Sequence, residues 1–191
     1  SAEGSAGIRI SSGENIVINN DGNIFADQKG IAAEYDYWDE LAGEVVVNVG
    51  PVTINNTGAI SAQNNDGIKL WMGGTVVNTG VIEGLNETGT ATDGIGGWIN
   101  DLTVDVSGTA GLDVTNTVDG RITGQRAGIA ASTGLILDNA GLIEGAADGL
   151  LVQSSNVIGS MPIASIVNTG IIRSNNTWDD SEWGWGYTHS G

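Results

Sequence analysis

The chain of 191 residues contains no cysteine, so no disulfide holds it. Stacking of like on like supplies what cross-links would supply, and the absence by itself assigns no compartment. Lysine occurs only as Lys29 and Lys69, which argues against a helical solenoid rich in Ala, Leu, Glu and Lys. Phenylalanine occurs only as Phe25 and histidine only as His189. No apolar run approaches the roughly 18 residues that span a membrane. No signal peptide is visible, and the chain begins at Ser1 without Met, as a processed chain or a fragment would. Basic residues are scarce: 6 against 23 acids give a formal charge of −17. Bulk electrostatics therefore oppose binding to nucleic acid or insertion at an anionic membrane surface. Gly-x-Ser-x-Gly, phosphate-loop and His-Glu-x-x-His motifs are all missing. The four arginines, Arg9, Arg121, Arg126 and Arg173, are scattered rather than clustered against an acidic sugar. The expectation is a protein that is not an enzyme.

What is present is a repeat. A Gly-Ile step opens each unit at Gly7-Ile8, Gly30-Ile31, Gly67-Ile68, Gly94-Ile95 and Gly128-Ile129, and as Gly149-Leu150. An Asn-x-Gly-x-Ile step closes units at Asn20, Asn56, Asn78, Asn139 and Asn168, with a degenerate copy at Asp119 to Ile122. Steps of 23, 37, 27, 34 and 21 residues separate Gly7, Gly30, Gly67, Gly94, Gly128 and Gly149. Such spacing is that of a solenoid, the short steps being one coil and the longer ones carrying inserted loops. Short segments rich in Val, Ile and Thr, punctuated by Gly, Asn and Asp, read as strands: Val45 to Val49, Val52 to Asn55, Thr75 to Val77, Leu102 to Val106, Leu135 to Leu137 and Ile163 to Val167.

These features predict an all-β fold: a single-stranded parallel β-helix of about six coils with loop insertions. Parallel crossovers favour a right-handed coil. One domain spans 1–191, with the repeat core at 7–174 and an aromatic-acidic segment at 175–191 acting as cap or contact. Coils stacked at about 4.8 Å make a rod of roughly 30 Å. Small β-branched residues fill a narrow interior. The Asn-x-Gly corner is expected to use the left-handed backbone that Asn and Gly tolerate. Its asparagines, Asn20, Asn56, Asn78, Asn139 and Asn168, are expected to hydrogen-bond up the stack as a structural ladder.

Several departures from the repeat are candidates for function. Trp71 and Trp98 each lie three residues after the opening Ile, on the outer side of neighbouring coils. They either form a platform for sugar rings or a protein partner, or are covered by inserted loops. The first insertion holds Tyr35, Tyr37 and Trp38 among acids and reads as a helical turn or a projecting loop. The C-terminal segment holds Trp178, Trp183, Trp185 and Tyr187 among acids. Binding residues concentrate on such loops over a rigid scaffold. Asp66, Asp93 and Asp148 recur before the opening glycine, either capping turns or offering carboxylates to calcium. Carboxylates such as Asp36, Asp39, Asp179 and Asp180 leave glycosidase chemistry open.

The pattern Val-x-Asn-Thr-Gly-x-Ile-x-Gly at Val77 to Gly84, with its relatives at Asn56 to Ile60, Asn139 to Gly145 and Asn168 to Ile172, resembles the passenger region of bacterial autotransporters and related β-helical surface proteins. The resemblance runs from about Gly7 to Ser174 and implies a bacterial cell-surface or secreted location. It implies an extracellular structural or adhesive module, an adhesin stalk that stacks end to end into a filament or meets a surface receptor or glycan. The alternative is a carbohydrate-binding or carbohydrate-cleaving β-helix. No catalytic residue carries over, because no motif of the catalytic passengers is present.

Overall fold

The computed structural model describes residues 6–34, 37–39, 44–46, 49–85, 92–97, 111–132, 134–152 and 164–175. No helix occurs among them. The first coil is β1 (Ile8–Ile10), β2 (Ile16–Asn20) and β3 (Asn23–Ala26). The second begins with β4 (Ile31–Ala33), leaves the stack for β5 (Tyr37–Asp39) and β6 (Glu44–Val46), and returns as β7 (Val52–Asn56) and β8 (Ala59–Ala62). The third is β9 (Ile68–Leu70), β10 (Gly74–Asn78) and β11 (Val81–Gly84). The fourth is β12 (Asp93–Gly97), β13 (Leu112–Asn116) and β14 (Arg121–Gly124). The fifth is β15 (Ala127–Ala131), β16 (Leu135–Asn139) and β17 (Leu142–Gly145). The sixth is β18 (Asp148–Val152), β19 (Ala164–Asn168) and β20 (Ile171–Ser174).

Like strands of successive coils pair in parallel, giving three six-stranded sheets. The molecule is a parallel β-helix of six coils with three faces. The first face is β1-β4-β9-β12-β15-β18, the second β2-β7-β10-β13-β16-β19 and the third β3-β8-β11-β14-β17-β20. The opening Gly-Ile steps form the first face. The second and third flank the asparagine corner.

Register is residue on residue, so the interior is built of columns. Ile31, Ile68, Ile95 and Ile129 line the first face, and Ile60, Ile82, Ile122 and Ile143 the third, all fully buried. Ile54, Val76, Val114 and Leu137 make the matching column on the second face. A β-branched side chain has few χ1 choices, so identical ones stack in the same rotamer at little entropic cost. In the sixth coil Ile166, over Leu137, is 46% exposed.

The first insertion contains an antiparallel hairpin, with Trp38 opposite Val45, rather than a helical turn. The fourth coil takes its second-face strand at Leu112–Asn116, whereas Leu102 to Val106 lies outside the described residues. The corner after it spans Thr117 to Gly120, two residues more than the others, which hid Asn116 from the Asn-x-Gly pattern.

The asparagine corner does not use a left-handed backbone. Among described residues positive φ occurs at Gly13, Asn15, Gly73 and Gly134, between the first and second faces, and at Gly74, which opens a second-face strand. Glycine at the asparagine corner serves space instead. A Cβ on Gly58 would overlap the carbonyl oxygen of Gly22, and one on Gly80 that of Gly58.

Candidate functional site

The asparagines converge first. Asn20 Nδ2 donates to Asn56 Oδ1 at 2.7 Å, Asn56 to Asn78 at 2.9 Å and Asn78 to Asn116 at 2.9 Å. Asn116 donates to Asn139 at 2.8 Å and Asn139 to Asn168 at 2.7 Å. Each amide also reaches the carbonyl of its own corner glycine, as Asn78 does to Gly80 at 3.0 Å. Asn56, Asn78, Asn116 and Asn139 are buried. With each of the buried amides, Asn56 to Asn139, thus engaged as donor and acceptor, the column closes corners rather than presenting a row of free amides. Each bond contributes about 1 kcal/mol net, while stranding a buried partner costs about 1–3 kcal/mol.

The outer side of the first face differs from the rest of the surface. On the second and third faces, outward side chains meet solvent: Ile136 is 57% exposed and Phe25 is 70% exposed. On the first face the outward Ala32 and Ala130 are fully buried. At these coils the sheet is covered on both sides, whereas Arg9, in the same outward column of the first coil, is exposed. The signal was in the sequence: Ile31-Ala32-Ala33 and Ala127 to Ala131 are uninterrupted small or apolar runs, as strands buried on both faces are. All long excursions also flank this face. The chain leaves its far edge at 34–51, 98–111 and 153–163, and returns to its near edge through 85–92.

Charge is buried along the near edge. Asp66 and Asp93 are nearly inaccessible. Asp66 Oδ1 accepts the backbone N–H of Asp93 at 2.8 Å, and its Oδ2 lies 3.1 Å from Lys69 Nζ. The carboxylate rests over Gly96, where a Cβ would come within 2.7 Å of Oδ2. Asp93 receives Arg126 in a forked pair, Nε at 3.0 Å and Nη2 at 2.5 Å, and accepts the Ala127 N–H at 3.3 Å. Asp148 stands in register with Ala127, one coil beyond, and adds to the field on Arg126. Lys29 holds the corresponding position in the second coil, paired with Glu34. Burial raises the Asp93 pKa, and the charge of Asp66 adds to the effect, while Arg126 and Lys69 oppose it. On the third face the hydrogen bonds from Arg173 hold Glu144 below the usual carboxylate range.

All four oxygens of Asp66 and Asp93 thus already accept hydrogen bonds or face a cation. Among the described residues no three Asp, Glu, His or Cys side chains converge as a metal site. A calcium ion at Asp66 or Asp93 would have to displace Lys69 or Arg126.

The aromatic candidates divide. Trp71 is half-buried, and its indole N–H is enclosed with no acceptor among the described residues. Its backbone N–H still pairs with Ala33 of the second coil at 3.1 Å. Tyr37 and Trp38 lie on β5 of the excursion hairpin. Tyr35, Trp98, Trp178, Trp183, Trp185 and His189 lie outside the described residues. Sequence reasoning missed the pairing of Lys69 and Arg126 with the aspartates. Arg126 lies 33 residues from Asp93, and only the stacking of adjacent coils joins them.

No protein-family model, curated protein or solved structure matches the chain.

Proposed function

We propose that this chain is an extracellular structural and adhesive β-solenoid module of a bacterial surface protein, of the autotransporter-passenger kind. The observation that carries the reading is the confinement of every long excursion to the edges of one face. A stack of near-identical coils makes a stiff spacer, and its loops can vary without disturbing the columns beneath. The excursions at 34–51, 98–111 and 153–163 are then the contact surface, and Tyr35, Tyr37, Trp38 and Trp98 fall within them. The charge of −17 keeps such a rod dispersed outside the cell. The partner is a receptor or glycan on a host or neighbouring surface.

The test is binding of the labelled chain to bacterial cells, animal cells, matrix proteins and a glycan array, with and without calcium. The comparison variant replaces 34–51 by the short corner that the third coil uses. The parent should bind at least one surface, and the variant should lose about tenfold or more in affinity while keeping its β-sheet circular dichroism. Binding to none of these surfaces would overturn the adhesive role. Glycan binding that quenches tryptophan fluorescence would identify the partner as carbohydrate.

A further inference from the structure

Most of the stack does not distinguish one coil from another. The asparagine ladder and the isoleucine columns repeat residue on residue, so a coil set one step out of place would meet the same partners. The fifth coil on the third, for instance, would set Asn139 on Asn78, Ile143 on Ile82 and Ile129 on Ile68. Misassembly of this kind is a characteristic failure of repeat chains, and the longer loop it leaves adds little to the cost of closure. The fourth coil carries two of the excursions, 85–92 before its first strand and 98–111 after it.

The near edge of the first face breaks this degeneracy. There Asp66 of the third coil lays its carboxylate over Gly96 of the fourth, where an added Cβ would come within 2.7 Å of Oδ2. The outward column runs Arg9, Ala32, Lys69, Gly96, Ala130 and Leu151, so among the described coils only the fourth has no side chain at this level. Across the next interface Asp93 of the fourth coil is forked by Arg126 of the fifth. The residues two before the opening glycine in the second, third, fourth and sixth coils are Gln28, Asn65, Thr92 and Ala147, none of them cationic. The fifth coil set on the third would drive the Ala130 methyl into the Asp66 carboxylate. It would also bring two cations, Lys69 and Arg126, to that one carboxylate.

We infer that the Asp66–Gly96 contact and the Asp93–Arg126 pair are registration keys that admit only the fourth coil between the third and the fifth. Buried ion pairs add little net stability over apolar packing, because desolvation offsets their attraction. A mismatched one is costly, since it leaves a buried charge uncompensated. That asymmetry selects one neighbour among near-identical alternatives, because the penalty falls on the wrong one. Asp66 and Asp93 are both nearly inaccessible, so water does not relieve a mismatch there. The ladder and the columns supply cohesion, and the keys supply order, at the two interfaces of the coil that carries excursions on both sides of its first strand. The inference concerns how the stack assembles and stands apart from the adhesive reading.

The chain has no cysteine, so engineered pairs read the register without competition. Thr115 and Asp138 are partners on the outer side of the fourth and fifth coils. Neighbouring strands hold them about 4.8 Å apart, within disulfide reach. Val77 lies one coil earlier in the same column, so it stands about 9.6 Å from Asp138, beyond that reach. Each cysteine pair is placed in the parent and in an unkeyed variant, Asp66→Ala, Lys69→Gln, Asp93→Ala and Arg126→Gln, and the dilute chains are refolded from urea under mild oxidation. In the parent, Thr115→Cys with Asp138→Cys should close, and Val77→Cys with Asp138→Cys should stay reduced. Without the keys the yield of the second cross-link should rise about tenfold or more, with β-sheet circular dichroism retained. An unchanged yield from the refolded variant overturns the inference. Should the unkeyed chain fail to refold, Gly96→Ala decides. It should lower the urea midpoint of the parent, and by much less in the Asp66→Ala background. An equal loss in both backgrounds would mean that Gly96 does not receive the Asp66 carboxylate, and it overturns the inference as well.

Discussion

At the scale of single residues, the chain places identical side chains on identical neighbours and removes what does not repeat. An asparagine between two asparagines has both its amide hydrogens and its carbonyl used, so the column tolerates burial that a lone amide would not. Asp66 and Asp93 depart from this economy, because carboxylates in one column repel unless cations interleave them. Lys69 and Arg126 are those cations. For Asp93 burial still outweighs Arg126, and the folded-state pKa is raised. A raised pKa stabilises the fold fully below the unfolded value, near pH 4, and that contribution is lost as pH rises through the folded value. Glu144, whose pKa is lowered, works in the opposite sense: its contribution is present above its unfolded value and lost as pH falls. Replacing Asp93 by Asn removes the first effect alone. The unfolding free energy of Asp93→Asn relative to the parent should shift in the variant's favour from pH 3 to pH 7 in urea titrations. A difference that is flat or moves the other way would show that the Arg126 pair overrides burial.

At the scale of the element, the corner decides how closely coils approach. Second-face strands end in Asn, and the third-face strand starts three residues later in most coils, with glycine just before it. Glycine is there because the preceding coil's carbonyl occupies the space of its Cβ. Gly80→Ala should therefore lower stability by about 1–3 kcal/mol, the cost of overpacking. Gly22→Ala, with open space in front of it, should leave the monomer unchanged or raise stability by about 0.4–1 kcal/mol through the unfolded chain. Paired urea melts of dilute protein read the difference, and equal effects would mean that backbone conformation rather than crowding sets both positions. The fourth coil shows that the corner adapts: Thr117 to Gly120 replaces two residues by four, yet Asn116 and Ile122 stay in register with their columns.

At the scale of the whole molecule, each coil contacts mainly its two neighbours, so stability is close to a sum of coils and interfaces. Among the described residues the first and sixth coils each pair with one neighbouring coil, and most of their core positions, such as Ile16, Ile18, Leu150 and Ile172, are only partly buried. Hydrogen exchange in dilute solution should be slowest at Val76 and Val114 and fastest at Ile166 and Ile171, with protection falling toward both ends. Uniform protection at every dilution would mean that the stack opens as a single unit.

The fold was written in the sequence because a solenoid converts periodicity directly into contacts. Gly-Ile openings became the first face, and Asn-x-Gly-x-Ile closings became the second-to-third corner and the ladder. The columns Ile31 to Ile129 and Ile60 to Ile143 follow from position in the repeat alone. Tertiary structure decided what depends on the length of each excursion. It brought Asn116 into the ladder across a corner of unusual length, and it brought Arg126 onto Asp93. It covered the outer side of Ala32 and Ala130. It also showed that the corner glycines answer to the neighbouring coil and not to their own φ. Each of these is set by which residue, one turn of the chain away, arrives at the next step of the stack, and that distance varies from coil to coil.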